Sequence, residues 1–125
     1  MAPSSDSRPS TPWRGLTLQA LALLHVLFVL LLGLHEGDAW LRLRPNFGSA
    51  NPPDLLLLTL FWSLVFGFAL FVVGAVVRTL ERAHLAVPRS VSALLLALGL
   101  FGTVLAPASG FPVVAFVGAH LLRRP

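Results

Sequence analysis

The stretch Leu55–Val77, LLLLTLFWSLVFGFALFVVGAVV, decides the fold of this chain, because it runs for 23 residues without a charge. It lies between Asp54 and Arg78. As an α-helix it would be roughly 34 Å long, enough to cross the ~30 Å hydrocarbon layer of a bilayer. A helix of a small soluble domain has no need to be apolar on every face. We therefore interpret this stretch as a membrane-spanning helix and the remaining apolar runs as its partners.

Three further apolar runs predict an all-α, four-helix transmembrane bundle: 16–34 comes first, and 90–106 and 111–122 follow the central span. The last run has 12 residues, about 18 Å as a helix, which is short for a full crossing. Two interpretations stay open. Either the last two runs form a hairpin whose tip lies shallow in the outer half of the bilayer, or the fourth helix begins within 107–112 and the bilayer thins locally. The predicted turn residues are Pro107, Ser109 and Gly110.

Residues 1–12 carry three Pro and four Ser without periodicity, and predict a disordered cytoplasmic tail ahead of a membrane domain at 13–124. Arg14, the first apolar run and Gly37-Asp38-Ala39 are also similar to a signal peptide with its cleavage site. The apolar region of a signal peptide is about 7–15 residues long, however, and this one is longer. We therefore expect the first helix to be retained.

The arginines predict the orientation. With the N-terminus inside, seven of the nine fall in inner segments, and only Arg42 and Arg44 lie outside. Cytoplasmic loops carry the excess of positive residues, so both termini are predicted to be cytoplasmic. The use of Arg without Lys, among many Ala, Leu, Gly, Val and Pro residues, suggests a high-GC bacterial genome and hence a multi-pass protein of the bacterial inner membrane. The seven inner arginines are Arg8, Arg14, Arg78, Arg82, Arg89, Arg123 and Arg124.

Composition excludes several classes of function. The chain is 56% hydrophobic and 11% charged, against about 45–50% and 25% in soluble domains. It has no cysteine, so disulfides and thiolate metal sites are ruled out. Its arginines lie at helix ends and do not form the basic patch that is typical of a nucleic-acid-binding surface. No Asp, Glu or Arg lies inside a predicted span, which disfavours an ion-coupled carrier. No phosphate loop, HExxH or nucleophile elbow appears, so a non-catalytic protein is favoured over an enzyme, and we expect no cofactor.

One set of motifs is spread over most of the chain: His25, FWSLVFG at Phe61–Gly67, Gly74, Pro88, Pro107-Ala-Ser-Gly-Phe111, Gly118 and the terminal Arg pair. Together these motifs resemble a family of small, uncharacterised four-helix bacterial membrane proteins. The resemblance covers the chain from Leu16 to Arg124, and it implies the fold without implying an activity. In this chain Pro112 stands where members often have an aromatic residue such as Trp, and Ala22 stands where they often have Gly.

His25 is the main candidate for an intramembrane polar site. It lies near the predicted midplane, where an ionisable side chain is either functional or held by an interhelical hydrogen bond. Trp62 and Ser63 lie within about one turn of its depth if the first two helices are antiparallel neighbours. Haem ligation by His25 and His120 is disfavoured, because the two histidines differ in depth by about 9 Å. The remaining titratable groups, His35, Glu36, Asp38, Glu81 and His84, are interpreted as solvated helix ends or loop faces.

Small residues predict close helix packing. Gly67 and Gly74 are seven residues apart and share a helix face, and Gly99 and Gly102 are spaced by three in the third run, which also puts them on one face. The leading hypothesis is therefore a non-catalytic membrane protein that acts by helix packing or as an accessory subunit. Its expected partners are the lipid bilayer and a second copy or a larger complex, with no nucleic acid. The alternatives are a small transporter, or a binder of or enzyme on an apolar molecule such as a quinone or lipid.

Overall fold

The computed structural model describes residues 12–37, 39–42 and 54–123, so the predicted tail lies outside the described residues apart from Pro12. The regular structure within these ranges is entirely helical, which confirms the all-α prediction. A helical turn at 39–42 lies between the first two long helices. The long helices are α1 (Trp13–His35), α2 (Leu55–Arg82), α3 (Arg89–Leu105) and α4 (Phe111–Arg123).

The ends of α1 follow local backbone chemistry. The helix begins at Trp13 rather than at Leu16, directly after the N-cap residue Pro12, whose ψ of 61° is not helical. It ends at His35, where the Glu36 amide donates to the carbonyl of Leu32 and Gly37 has a φ of 55°. Glycine adopts that left-handed conformation without steric cost.

The helix α2 continues to Arg82 instead of ending at Val77. Its start is fixed by Asp54, whose carboxylate accepts the Leu56 amide at 2.9 Å. Its end is set by His84 at φ 56° and by a bond of 2.9 Å from the Leu85 amide to the Leu80 carbonyl. Glu81 therefore lies within α2, because this turn motif ends the helix and the charges that begin at Arg78 do not. The interpretation of Glu81 as a solvated group was wrong, because its side chain is only 10% exposed.

The helices α1 and α2 pack antiparallel along a seam of small side chains. Gly15 lies directly against the backbone of Arg78, and a Cβ on Gly74 would come within 2.9 Å of the Gln19 backbone nitrogen. A Cβ on Gly67 would lie 2.6 Å from Val26. Such contacts bring two helix backbones close together. Seven-residue steps define the seam, as in a left-handed pair of helices. Its members are Gly15, Ala22 and Val29 on α1 and Leu60, Gly67, Gly74 and Glu81 on α2.

The helices α3 and α4 form a shorter antiparallel hairpin of the same kind. Gly99 lies against the backbone of Ala115, and a Cβ on Gly118 would lie 2.5 Å from the Leu96 nitrogen. Gly102 lies against the ring of Phe111 near the turn. The hairpin therefore depends on glycine on both of its helices.

The α3–α4 hairpin covers only one half of the α1–α2 pair. At its base His120 contacts Trp13, with ring centroids 5.1 Å apart. At its tip Gly110 lies against Leu21, which is about 12 Å along an α1 helix of about 34 Å. The other half of α1 and α2 has a separate core, to which the 39–42 turn contributes in place of α3 and α4. That core consists of Val29, Ala39, Leu57 and Leu60, with Leu32, Trp40, Leu56 and Leu64 packed against it.

Much of the apolar surface of the long helices is uncovered. Within the described residues, α1 and α2 are long and apolar enough to cross a membrane, and only 22% of the residues in the most apolar window of each are buried. Leu24, Phe28 and Phe68 are more than half exposed. The helices α3 and α4 are also apolar, but shorter.

Candidate functional site

His25 lies at mid-height on α1 and binds α2. Its Nε2 is 3.1 Å from the backbone carbonyl oxygen of Ser63, and its ring meets Phe66 edge-on at 5.8 Å. A carbonyl oxygen only accepts, so Nε2 carries the proton in this contact. The contact joins the two helices at the level of Gly67, where their backbones are close. The His25 ring is half-buried.

The three residues of the predicted intramembrane site do not all converge. His25 and Ser63 come together, although through the Ser63 backbone and not its hydroxyl. Trp62 is 59% exposed and stacks edge-on with its neighbour Phe61 at 5.3 Å. Its ring therefore lies on the outward surface of α2.

The predicted turn residues join α3 to α4. The Ser109 hydroxyl donates to the carbonyl of Ala106 and accepts the amide of Phe111 at 3.3 Å, so one side chain serves both helix ends. Pro107 and Ser109 are exposed, whereas Gly110 is half-buried against Leu21. The serine thereby satisfies backbone groups that the tight turn would leave without partners.

Glu81 caps α1 from a different helix. One carboxylate oxygen accepts the Gly15 amide at 3.1 Å, and the other lies 3.8 Å from the Nε of Arg14. The side chains of Arg14 and Glu81 are only 16% and 10% exposed. A carboxylate at the N-terminus of a helix interacts favourably with the helix dipole, so Glu81 ties the start of α1 to the end of α2.

Three further side chains complete this group, which we call the arginine cluster: Arg14, Gln19, Arg78, Glu81 and His120. The Nη1 of Arg78 donates to the neutral Gln19 amide oxygen at 3.1 Å. The edge of His120 packs on Trp13, and the Arg14 guanidinium lies 5.8 Å from the centre of the same indole ring. The ends of α1, α2 and α4 thus meet at one level.

Three nitrogen atoms of the arginine cluster are buried without a hydrogen-bond partner among the described residues: Arg14 Nε, Arg78 Nε and His120 Nδ1. Buried donors are nearly always satisfied in folded proteins. The cluster also holds two guanidinium groups and one carboxylate, so it carries a surplus of positive charge.

Sequence reasoning missed the arginine cluster, although one signal could have found it. The step of seven residues from Gly67 to Gly74 leads next to Glu81, which puts the acid on the same helix face as the two glycines. The step from Ala22 back to Gly15 does the same on α1. Extending both repeats beyond the apolar runs would have brought Glu81 to the start of α1.

The other titratable groups do not gather into a metal site. Within the described residues, no three His, Asp or Glu side chains lie close enough to share an ion. Asp38, which follows His35 and Glu36 closely in the sequence, lies outside the described residues. His120 contacts Trp13, which is about 18 Å along α1 from His25, so the two imidazoles do not face a common point.

Comparisons with known proteins add a family and no activity. Neither the curated proteins nor the solved structures provide a match. One family model, described as a family of unknown function, matches residues 9–124 of the 125-residue chain. Because that match spans nearly the whole chain, the protein belongs to the family of unknown function DUF6463.

Proposed function

We propose that this protein is a multi-pass protein of the bacterial inner membrane that acts without catalysis, through helix packing with a second copy or a larger membrane complex. The observation that carries the proposal is the low burial of its two longest apolar helices. In each, only 22% of the most apolar window is buried. A core helix of a soluble protein would be largely buried by other parts of the protein, whereas a helix in lipid can leave its apolar side chains exposed to the acyl chains.

The packing of α1 supports its retention as part of the fold. Its buried face runs from Gly15 through Ala22 to Val29, and it meets α2 over that whole length. If α1 were cleaved off as a signal peptide, this interface with α2 would be lost. The face of α2 exposed in this way would include Glu81 and the Ser63 carbonyl, both without the groups on α1 that bind them.

We further propose two full crossings, α1 and α2, and a hairpin of α3 and α4 that enters from the cytoplasmic side and turns back near the midplane. The contact of Gly110 with Leu21 supports this arrangement over four complete spans. Backbone at membrane depth needs internal partners, and Ser109 supplies two. Both termini then lie in the cytoplasm.

The arginines support that orientation. Arg82, Arg89 and Arg123 are exposed at the end of the molecule where the hairpin has its base. Arg42 follows the opposite end of α1. Positive charge is concentrated on the cytoplasmic side of membrane proteins. A binding site for an apolar ligand at His25 is less favoured, because its Nε2 is engaged by Ser63 and Trp62 faces outward.

Single-cysteine labelling tests the topology, because the natural chain has no cysteine. Glu36→Cys, His84→Cys and Ser109→Cys all replace exposed residues. In intact cells a membrane-impermeant maleimide should label only the Glu36→Cys variant. After lysis it should also label His84→Cys, while Ser109→Cys should stay protected until detergent is added. Labelling of Ser109→Cys from outside would overturn the hairpin, and release of the protein by alkaline carbonate would overturn membrane insertion.

A further inference from the structure

We propose that the arginine cluster binds a phosphate group, carried either by the headgroup of an anionic phospholipid or by a free phosphate. The charges provide the first argument. Arg14 has Glu81 as its partner, but the hydrogen bond of Arg78 goes to a neutral amide. A guanidinium held in a half-buried site without a counter-charge is costly, and an anion would remove that cost.

The unused donors provide the second argument. Among the described residues, Arg78 Nε and His120 Nδ1 have no hydrogen-bond partner, and Arg14 Nε has only Glu81 nearby, at 3.8 Å. The three atoms come from three different helices that meet at one end of the molecule. An arginine offers five N–H donors in a planar fork, which suits the several acceptor oxygens of a phosphate. Glu81 does not satisfy these nitrogen atoms, because one of its oxygens accepts the Gly15 amide and the other lies 3.8 Å from Arg14 Nε, too far for a hydrogen bond.

The position of the cluster provides the third argument and rests on the proposed membrane insertion. The cluster lies where the apolar lengths of α1 and α2 end, beside Trp13. Tryptophan prefers the headgroup level of a bilayer, and basic pockets between helices on the cytoplasmic side bind lipid headgroups. Arg14 and Arg78 are thus at the depth at which phospholipid phosphates lie.

Lipid binding to the detergent-solubilised full-length protein tests the proposal. Native mass spectrometry would compare phosphatidylglycerol with phosphatidylcholine, and inorganic phosphate would be added as a competitor. We expect the wild type to prefer phosphatidylglycerol, and Arg78→Gln to weaken its binding by roughly tenfold, the effect of one charge-assisted hydrogen bond. Arg78→Lys, which keeps the charge but not the fork, should show a smaller loss.

Arg82→Gln is the matched control, because it removes the same charge from an exposed side chain of the same helix end. It should bind phosphatidylglycerol like the wild type. Inorganic phosphate could instead bind with the same dependence on Arg78 while neither lipid is preferred. That result would support the phosphate site and identify its ligand as a free phosphate instead of a lipid headgroup.

The proposal is overturned if the wild type neither prefers phosphatidylglycerol nor binds inorganic phosphate. It is also overturned if Arg82→Gln lowers the affinity for phosphatidylglycerol as much as Arg78→Gln does. The wild-type comparison needs no variant, so a variant that fails to fold does not remove the test. Extraction by alkaline carbonate reports on membrane insertion separately. A protein that is inserted but binds neither probe refutes this inference alone, whereas an extractable protein that binds phosphate refutes only the proposed membrane function.

Discussion

Replacing Glu81 by Gln should loosen the start of α1 from α2. The amide keeps the size of the side chain and an oxygen that can accept from the Gly15 backbone, but it removes the negative charge. The hydrogen bond of 3.1 Å then becomes a neutral one, and the 3.8 Å pair with Arg14 is lost. What remains is a site with two guanidinium groups and no acid among the described residues.

The size of the effect follows from burial. Hydrogen bonds to charged groups contribute about 1.5–3 kcal/mol and neutral ones about 0.5–1.5 kcal/mol, so the weakened bond alone costs about 1 kcal/mol. An exposed ion pair contributes about 0.2–1 kcal/mol, whereas breaking a buried one costs about 3–5 kcal/mol. The side chains of Arg14 and Glu81 are 16% and 10% exposed, between these limits. We therefore expect Glu81→Gln to lower the free energy of unfolding by about 2–3 kcal/mol.

Unfolding in mixed micelles with increasing dodecyl sulfate would measure this loss, followed by tryptophan fluorescence and by helical circular dichroism. Glu81→Ala should cost more, because it also leaves the Gly15 amide without its acceptor. Glu36→Gln is the control, since it removes the same charge from an exposed side chain at the other end of α1, and it should stay within about 0.5 kcal/mol of wild type. If Glu81→Gln unfolds at the same dodecyl sulfate concentration as Glu36→Gln, Glu81 does not stabilise the contact between α1 and α2.

Two more substitutions test the packing of each helix pair by the same unfolding measurement. Gly118→Ala should cost about 1–3 kcal/mol, because its new Cβ would lie 2.5 Å from the Leu96 backbone nitrogen and the helices would have to separate; unchanged stability would contradict the close α3–α4 contact. His25→Leu should cost about 0.5–1.5 kcal/mol through the lost hydrogen bond to the Ser63 carbonyl, and a variant as stable as wild type would show that this contact does not stabilise the α1–α2 pair.

The helical architecture could be predicted from the sequence because its signals are local. Apolar runs without charges mark helices, and Asp54 and Gly37 mark an end of α2 and of α1 by their own side-chain and backbone chemistry. The close packing at Gly67 and Gly74 follows from small residues spaced by seven. Each of these inferences needs only residues within a few turns of one another.

The position of the α3–α4 hairpin along the α1–α2 pair could not be predicted in the same way. The length of an apolar run limits how far a helix reaches, but it does not say against which turn of another helix the run begins. That register depends on contacts such as His120 with Trp13 and Gly110 with Leu21, which join residues far apart in the sequence. The apolar runs therefore predicted the all-helical class correctly, while the arrangement of the helices depends on tertiary packing.

The arginine cluster shows why counting charges was insufficient for the site. A positive-inside count gives equal weight to Arg78 and to Arg82, since either charge can fix orientation from the cytoplasmic side. Only Arg82 has the exposed position that this task requires. Arg78 is half-buried at the seam, with Gly15 against its backbone and a neutral amide on its guanidinium. Orientation alone does not explain a charge held at that cost, and this is why we assign Arg78 a ligand.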